Sequence, residues 1–254
     1  MKNLKLNLLL LTFVFFIFSC ASEGTDENSE NDSTSVEADV EDGVGYEQEV
    51  QAICIWSSLT VKATPNEKGK YITSINLGEV ATTHGIISVD SSTSKPREYV
   101  NITLADGTSG WVQKNFIAID SKAFVVKGKT KIYKRPDILT ATKNELDRMQ
   151  FLVSTEFQEG WIKIKAKRKI DNWFIEGWVK SDHLTDNQID VTVAILVQRA
   201  LDFKDKAKRI DALTEIKDNA DFSASVFIKD IEELLYDLMT EEAEQPIENE
   251  EMGD

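Results

Sequence analysis

Two copies of a Gly-Trp-Val segment constrain the fold of this chain more than any other feature. Gly110-Trp111-Val112 closes one run of short apolar segments, and Gly177-Trp178-Val179 closes a second run of the same kind. An opening segment that ends in a proline also occurs twice, at residues 59–65 and 131–136. Self-similarity at a nearly fixed period predicts a tandem duplication of one small structural unit.

Each copy has the pattern of short strands separated by turns. In the first copy, residues 59–63 alternate between apolar and polar side chains, and Asp106-Gly107 lies between two β-rich runs. Asp-Gly in that position is a strong hairpin signal. The second copy follows the same order and also carries Gly160-Trp161. Short strands with punctuating turns, about 60–70 residues in all, predict a small barrel for each copy.

The charge is distributed unevenly along the chain. The net charge is −15, yet no Lys or Arg occurs between Lys5 and Lys62 or after Lys229. Residues 22–35 are acidic and contain no apolar side chain, so they cannot bury enough surface to offset chain entropy. We therefore predict acidic disordered ends around a mildly basic middle. The cluster at residues 39–43 lacks the spacing of a calcium loop, and no metal site is predicted.

The first residues have the pattern of an export signal. A charged start is followed by an apolar run at residues 8–18, too short for a bilayer-spanning helix of roughly 20 residues. The segment Ile17-Phe18-Ser19-Cys20 resembles a bacterial lipobox, which implies that Cys20 is acylated and anchors the protein to a membrane. Ala21 after the cysteine favours the outer membrane, by the same resemblance. Ordinary signal cleavage after Ala21 is the alternative.

The chain offers few residues for catalysis. Its second cysteine, Cys54, lies in an apolar run and is predicted to be a small buried residue rather than a reactive thiol. The only histidines are His84 and His183, and neither zinc spacing, a phosphate-binding loop nor a nucleophile motif occurs. We predict that the protein is not an enzyme and uses no cofactor.

Residues 53–184 resemble a pair of bacterial SH3-like domains. That family has an opening apolar–x–apolar–x–x–Pro segment, a Gly-Trp-x-x-apolar motif and a closing Gly-Trp-Val hairpin. The second copy carries all three, whereas the first has Tyr99 where the middle tryptophan is expected and Ala63 in place of the usual arginine. The resemblance implies a binding module of the cell envelope that attaches to peptidoglycan stem peptides or to another protein.

The candidate ligand contacts are aromatic side chains, which give large contact area at low entropic cost, and one basic run. They are Tyr99, Trp111, Tyr133, Trp161, Trp173 and Trp178, together with Lys163, Lys165, Lys167, Arg168 and Lys169. We predict that the basic run covers a hairpin tip, where it could meet anionic stem peptides, an acidic protein or lipid phosphates. Two alternatives stay open. Trp111 and Trp178 could fill barrel cores, and the basic run could be a solvated tip that blunts an edge strand.

The C-terminal part changes from strand to helix periodicity. Apolar residues recur at helical spacing from Val193 to Leu201, around residues 206–217 and again from Phe227 to Leu238. Val191, Val193, Ile195 and Val197 also alternate as in a strand. The continuation of the pattern without a breaker favours a helix, so three helices are predicted.

The predicted fold class is α+β and multi-domain, with two small SH3-like β-barrels in tandem followed by a short α-helical C-terminal region. The expected segments are a signal peptide (1–19), an acidic tether (20–50), barrel 1 (51–121), barrel 2 (122–186), the helical region (187–240) and an acidic tail (241–254). We expect a non-catalytic, lipid-anchored envelope protein, on the periplasmic face or the cell surface, whose SH3-like domains recognise cell-wall peptide. The alternative is a protein–protein scaffold or adaptor in an envelope complex. The expected partners are the membrane, through Cys20, and peptidoglycan or an envelope protein, but not nucleic acid.

Overall fold

The computed structural model describes residues 45–168 and 173–240. Cys20, Lys169, the predicted signal peptide, nearly all of the tether and the acidic tail lie outside these ranges. The described chain is mainly β-sheet, with an eight-stranded and a seven-stranded sheet, and it ends in α-helices.

The first sheet, here called β unit 1, is antiparallel. The strands are β1 (Val50–Cys54), β2 (Ser58–Lys62), β3 (Tyr71–Asn76), β4 (Val80–Thr83), β5 (Ile87–Asp90), β6 (Arg97–Thr103), β7 (Ser109–Gln113) and β8 (Ile117–Ile119). They run in the order β3-β2-β7-β6-β4-β1-β8, and β5 pairs with residues 97–100 of β6, whereas β4 pairs with β6 at Thr103.

The second sheet, β unit 2, has the same strand order. The strands are β9 (Ala123–Val126), β10 (Thr130–Tyr133), β11 (Ala141–Leu146), β12 (Phe151–Gln158), β13 (Trp161–Lys167), β14 (Phe174–Lys180) and β15 (Leu184–Thr185). Their order is β11-β10-β14-β13-β12-β9-β15, which matches β unit 1 position by position, with the long strand β12 in the place of β4 and β5. A short 3-10 turn precedes the last strand of each unit, at Lys114–Phe116 and Ser181–His183.

The repeated Gly-Trp motif begins with glycine because a neighbouring strand leaves no room for a side chain. A Cβ atom on Gly110 would lie 2.5 Å from Val61 Cγ1 and 2.9 Å from the carbonyl oxygen of Lys62. A Cβ atom on Gly177 would overlap Ile132 and lie 2.9 Å from the carbonyl oxygen of Tyr133. Equivalent strands, β2 in one unit and β10 in the other, therefore pass close to the equivalent glycine.

Three α-helices follow β unit 2: α1 (Gln188–Leu201), α2 (Lys206–Asp218) and α3 (Ile228–Thr240). The Asn187 side chain starts α1 by accepting hydrogen bonds from the backbone N–H groups of Ile189 and Asp190. The prediction of a helix rather than a strand here is confirmed, because α1 buries a continuous stripe that includes Val193, Ala194, Val197 and Ala200.

The helices share one hydrophobic core with both β units. Each unit has its own inner core. A third cluster contains Ile53 and Ile55 of β unit 1, Val125 and Val153 of β unit 2, and the buried faces of α1, α2 and α3. Gly78 in β unit 1 has φ +76° and lies against Ile195 of α1, which leaves no space for a side chain there. The two units are therefore held against a common helical layer.

Cys54 is a buried packing residue, as its apolar neighbours predict. Its side chain is fully buried in β1, and Sγ lies 3.3 Å from the carbonyl oxygen of Trp56. Burial raises the pKa of the Cys54 thiol to about 12. The thiol is therefore protonated in the folded protein at every physiological pH, which argues against a nucleophilic role.

We expect Cys54 to resist thiol reagents until the protein unfolds. The raised pKa stabilises the fold fully below pH 9, the usual thiol value, and this contribution is lost as the pH rises towards 12. In the mature chain with Cys20→Ser, where Cys54 is the remaining cysteine, labelling should be slow at neutral pH and fast in denaturant. Equal labelling rates in the two conditions would contradict the buried position.

Candidate functional site

Strand β13 carries most of the sequence-predicted contacts, and its alternation decides where they lie. Ile162, Ile164 and Ala166 are buried in the core of β unit 2. Trp161, Lys163, Lys165 and Lys167 therefore project from the opposite side, here called the outer face. The expectation that the basic run covers a hairpin tip is wrong for Lys163, Lys165 and Lys167, which lie within β13, a strand paired on both sides by β12 and β14. Arg168 lies in the connection between β13 and β14, as expected.

One end of the outer face holds an aromatic pair. The rings of Tyr133 on β10 and Trp161 on β13 meet edge to face, with centroids 4.9 Å apart. The Lys180 ammonium lies 5.8 Å from the Trp161 ring centroid, because Lys180 is the cross-strand partner of Trp161. Both rings are half-buried. We call Tyr133, Trp161 and Lys180 the aromatic face.

β unit 1 lacks this arrangement. The pair Lys62 and Trp111 takes the place of Tyr133 and Trp178, so Lys62 replaces the tyrosine. By the same register, Tyr99 replaces Trp161 and Gln113 replaces Lys180. Tyr99 is only 1% exposed, so the expectation that it contacts a ligand at the surface is wrong. Strand β5, in which Ser88 pairs with Tyr99, lies beside it.

The remaining aromatic candidates differ in exposure. Trp178 is 7% exposed, which makes it a packing residue of β unit 2 rather than a surface contact. Trp111 is half-buried. Trp173 is 70% exposed, and its carbonyl accepts a hydrogen bond from the backbone N–H of Arg168. Among the predicted ligand contacts, Tyr133 and Trp161 meet each other ring to ring.

Two lysines of the basic run bridge the β units instead of facing solvent. Lys165 Nζ donates to the backbone carbonyl of Asn115 at 3.1 Å and lies 4.7 Å from the Phe174 ring centroid. Lys167 Nζ contacts Ser57 Oγ at 3.3 Å and lies 4.5 Å from the Trp56 ring centroid. Burial lowers the pKa of Lys165.

The rings below these lysines form a junction between the two units. The Trp56 and Phe116 centroids are 4.7 Å apart, and Phe174 lies 6.0 Å from Trp56 and 5.9 Å from Phe116. Lys163, further along β13, instead pairs with Glu156 at 3.4 Å. The basic run is thus divided: Lys165 and Lys167 lie at the junction, and Lys163 pairs with Glu156. Lys169 lies outside the described residues.

A cleft opens beside this junction, where both β units meet α1 and α3. Its volume is about 540 Å³, and its lining includes Ile55 and Leu77 of β unit 1, Phe151 and Lys167 of β unit 2, and Leu234 of α3. We call it the junction cleft. The sequence alone does not reveal it, because its walls come from segments far apart along the chain.

Within residues 45–168 and 173–240, no group of three or more His, Cys, Asp or Glu side chains is arranged to hold a metal ion. None of their helices has the length and apolar character needed to cross a membrane.

Comparison with known proteins gives little further guidance. No protein-family model matches the chain, and a search of curated proteins finds no match either. Among solved structures, the chain is similar to NlpC2 and NlpC1 from Trichomonas vaginalis, each at 12% sequence identity, with TM-scores of 0.23 and 0.22. The matches cover 68% and 65% of this chain, and 57% and 58% of those chains. The chain thus spans less than three fifths of their length, and likeness at this level carries no argument about fold or activity.

Proposed function

We propose that the protein is a non-catalytic, lipid-anchored binding protein of the cell envelope whose two β units are SH3-like barrels. The shared strand order, the 3-10 turn before each last strand and the twice-used Gly-Trp-Val hairpin support the barrel assignment. The ligand that we propose is a cell-wall peptide, which binds at the aromatic face of β unit 2.

The observation that carries this proposal is the difference between the two units at equivalent positions. β unit 2 presents two half-buried rings in edge-to-face contact with a lysine beside them. β unit 1 has Lys62, buried Tyr99 and Gln113 at the same positions. Duplicated units with a common fold and one intact aromatic cluster suggest that binding is confined to one of them.

The chemistry of the aromatic face suits an anionic peptide. The Tyr133 and Trp161 rings offer flat apolar contact, and the rigid pair loses little entropy on binding. The ammonium of Lys180 lies above the Trp161 ring, where it can meet a peptide carboxylate. Stem peptides of the cell wall carry carboxylates on a short chain, which fits one cation beside two rings.

The most direct test is co-sedimentation with purified peptidoglycan. The mature chain with Cys20→Ser should pellet with insoluble peptidoglycan at low ionic strength, and the bound fraction should fall as salt screens the charged contact. Failure to co-sediment at low ionic strength would refute cell-wall recognition.

The proposed anchor rests on the Ile17-Phe18-Ser19-Cys20 segment. Acyl chains contribute about 0.8 kcal/mol per buried methylene, so several chains on one cysteine hold a protein firmly on a membrane. Labelled palmitate should be incorporated into the wild-type protein and not into Cys20→Ser. Undiminished labelling of the Cys20→Ser variant would contradict acylation at this residue.

A protein–protein scaffold is the second candidate function, and one feature favours it. The loop after β10 exposes two consecutive apolar side chains, Ile138 at 61% and Leu139 at 87%. Exposed apolar side chains of this size suit a protein partner better than a charged polymer. A photo-crosslinking residue at position 139 should give protein adducts in cells if the scaffold function holds. One at position 131, which lies on the same face of β10 as Tyr133, should give peptidoglycan adducts if the first proposal holds.

A further inference from the structure

The junction cleft has the size of a small-molecule site and is separate from the aromatic face. Its volume of about 540 Å³ falls within the range of roughly 300–1,000 Å³ that is typical of ligand pockets. None of Tyr133, Trp161 and Lys180 contributes to its lining. Apolar side chains, among them Ile55 and Leu77, line part of its surface.

The two sides of the cleft carry opposite charges. Lys165 and Lys167 project from the outer face of β13, and Arg168 follows them. The helices contribute Asp230, Glu233 and Asp237 of α3 and Asp202 after α1. The spacing of 230, 233, 234 and 237 places these α3 residues on one face of the helix. The cleft therefore has a basic wall, formed by the end of β13, and an acidic wall, formed by the helices.

One pair of opposite charges in the cleft, Arg148 and Asp230, already forms an ion pair that has a structural role. Arg148 Nε donates to Asp230 at 2.5 Å, and an Arg148 terminal nitrogen donates to the same carboxylate at 2.9 Å. The guanidinium also contacts the carbonyl oxygens of Val226 and Lys127 and lies over the Phe227 ring. This ion pair connects α3 to β unit 2 at one side of the cleft. Arg148 and Asp230 therefore neutralise each other and are not assigned to a ligand.

Five of the other charged groups in the cleft form no ion pair. Within the described chain, Asp202, Glu233 and Asp237 form no ion pair, and neither do Lys165 and Lys167. The Lys165 ammonium donates to the carbonyl of Asn115, the Lys167 ammonium contacts Ser57 Oγ, and each of them also lies over an aromatic ring. Burial has the larger effect on the pKa of Lys165 and lowers it, whereas the charge of Glu176, its cross-strand neighbour, has a smaller effect and raises it.

The charged form of Lys165 would be stabilised by a bound anion. It is partly buried, and burial disfavours the charged form of an amine, which lowers its pKa. A carboxylate placed beside it would offset the lost hydration. The acidic wall would do the same for a ligand ammonium. A ligand that carries both groups can satisfy both walls at once, which a simple anion or cation cannot.

We infer that the junction cleft binds a short peptide or amino acid with a free ammonium and a free carboxylate. The carboxylate lies against Lys165 and Lys167, the ammonium lies against Glu233 and Asp237, and an apolar side chain occupies the surface formed by Ile55 and Leu77. This site goes beyond the proposed recognition of cell-wall peptide at the aromatic face, because it takes a free peptide or amino acid rather than wall-attached peptide and uses different residues.

The experiment uses the full mature chain with Cys20→Ser and the tripeptide alanyl-leucyl-alanine, studied by calorimetry. The peptide with both ends free should bind saturably. Acetylation of its amino end or amidation of its carboxyl end should each weaken binding at least about tenfold, equivalent to about 1.4 kcal/mol. Absence of saturable binding by the free peptide, or equal binding by the doubly blocked peptide, would overturn the inference.

Variants then assign each end of the peptide to its wall. Glu233→Gln combined with Asp237→Asn should weaken the free peptide about tenfold and leave the weak binding of the acetylated peptide unchanged. Glu232→Gln, an exposed neighbour outside the cleft lining, is the matched control and should bind as the wild type does. An equal loss in Glu232→Gln would overturn the assignment of the acidic wall.

Lys167→Gln tests the basic wall, with Lys163→Gln on the same outer face as its control. Lys167→Gln should weaken the free peptide and leave the amidated peptide unchanged, while Lys163→Gln should alter neither. Both variants should still co-sediment with peptidoglycan if the two sites are separate. Failure of the cell-wall proposal would therefore appear as lost sedimentation with intact tripeptide binding, and failure of the cleft site as the reverse.

Discussion

Replacing Gly177 with alanine is expected to lower the free energy of unfolding by about 1–3 kcal/mol, typical of overpacking a filled site. The added Cβ atom would overlap the side chain of Ile132 and lie 2.9 Å from the backbone carbonyl oxygen of Tyr133. Ile132 is 1% exposed and cannot move into solvent, and the carbonyl belongs to strand β10. The clash can therefore be relieved only by moving one strand away from the other.

Gly128→Ala is the matched control for this prediction. A Cβ atom on Gly128 meets nothing within 4 Å, and its backbone does not require a glycine. We expect Gly128→Ala to change the free energy of unfolding by less than about 0.5 kcal/mol, and Gly110→Ala to resemble Gly177→Ala. Chemical denaturation of the three variants provides the measurement. Equal stability of Gly177→Ala and Gly128→Ala would show that the neighbouring strand does not explain why both Gly-Trp-Val segments begin with glycine.

Removal of the buried carboxylate of Asp190 should have an effect at least as large. Asp190, in the first turn of α1, is 5% exposed and accepts hydrogen bonds from Ser225 Oγ at 2.9 Å and from the backbone N–H of Val226 at 3.0 Å. It also lies 3.2 Å from Thr185 Oγ1. Asp190→Ala leaves these donors without an acceptor, so we expect a loss of about 2–4 kcal/mol by thermal or chemical unfolding.

Two further variants identify the cause of that loss. Asp211→Ala replaces an exposed aspartate on α2 and should change stability by less than about 0.5 kcal/mol. Asp190→Asn keeps the oxygen that accepts from Ser225 and Val226 and lets the amide nitrogen donate to the Thr185 hydroxyl, so it should lose less stability than Asp190→Ala. Equal losses in Asp190→Asn and Asp190→Ala would show that these hydrogen bonds do not account for the effect.

Features encoded by neighbouring residues could be predicted from the sequence. Asp106-Gly107 forms the predicted hairpin between β6 and β7, with Gly107 at φ +84°. Helix α1 forms where the apolar residues recur at helical spacing, despite an alternating stretch. Cys54 is buried, as its apolar neighbours indicate. In each case, the physical cause lies within a few residues of the feature itself.

Features that depend on distant parts of the chain could not be predicted in this way. The alternation of Lys163, Lys165 and Lys167 with apolar residues indicates a strand, but it does not reveal that β unit 1 covers part of its outer face. Tyr99 is buried beside strand β5, which the sequence pattern did not reveal. The junction cleft is the extreme case, since its lining runs from Ile55 to Asp237.

The measurement that tests the central proposal most directly is a peptidoglycan binding isotherm for two tryptophan variants. Trp161→Ala removes one of the two rings of the aromatic face, whereas Trp111→Ala removes the half-buried tryptophan of β unit 1. We expect Trp161→Ala to weaken binding at least about tenfold and Trp111→Ala to leave it within about twofold of the wild type, with both variants folded by circular dichroism. Equal binding by Trp161→Ala and the wild type would contradict recognition at the aromatic face of β unit 2.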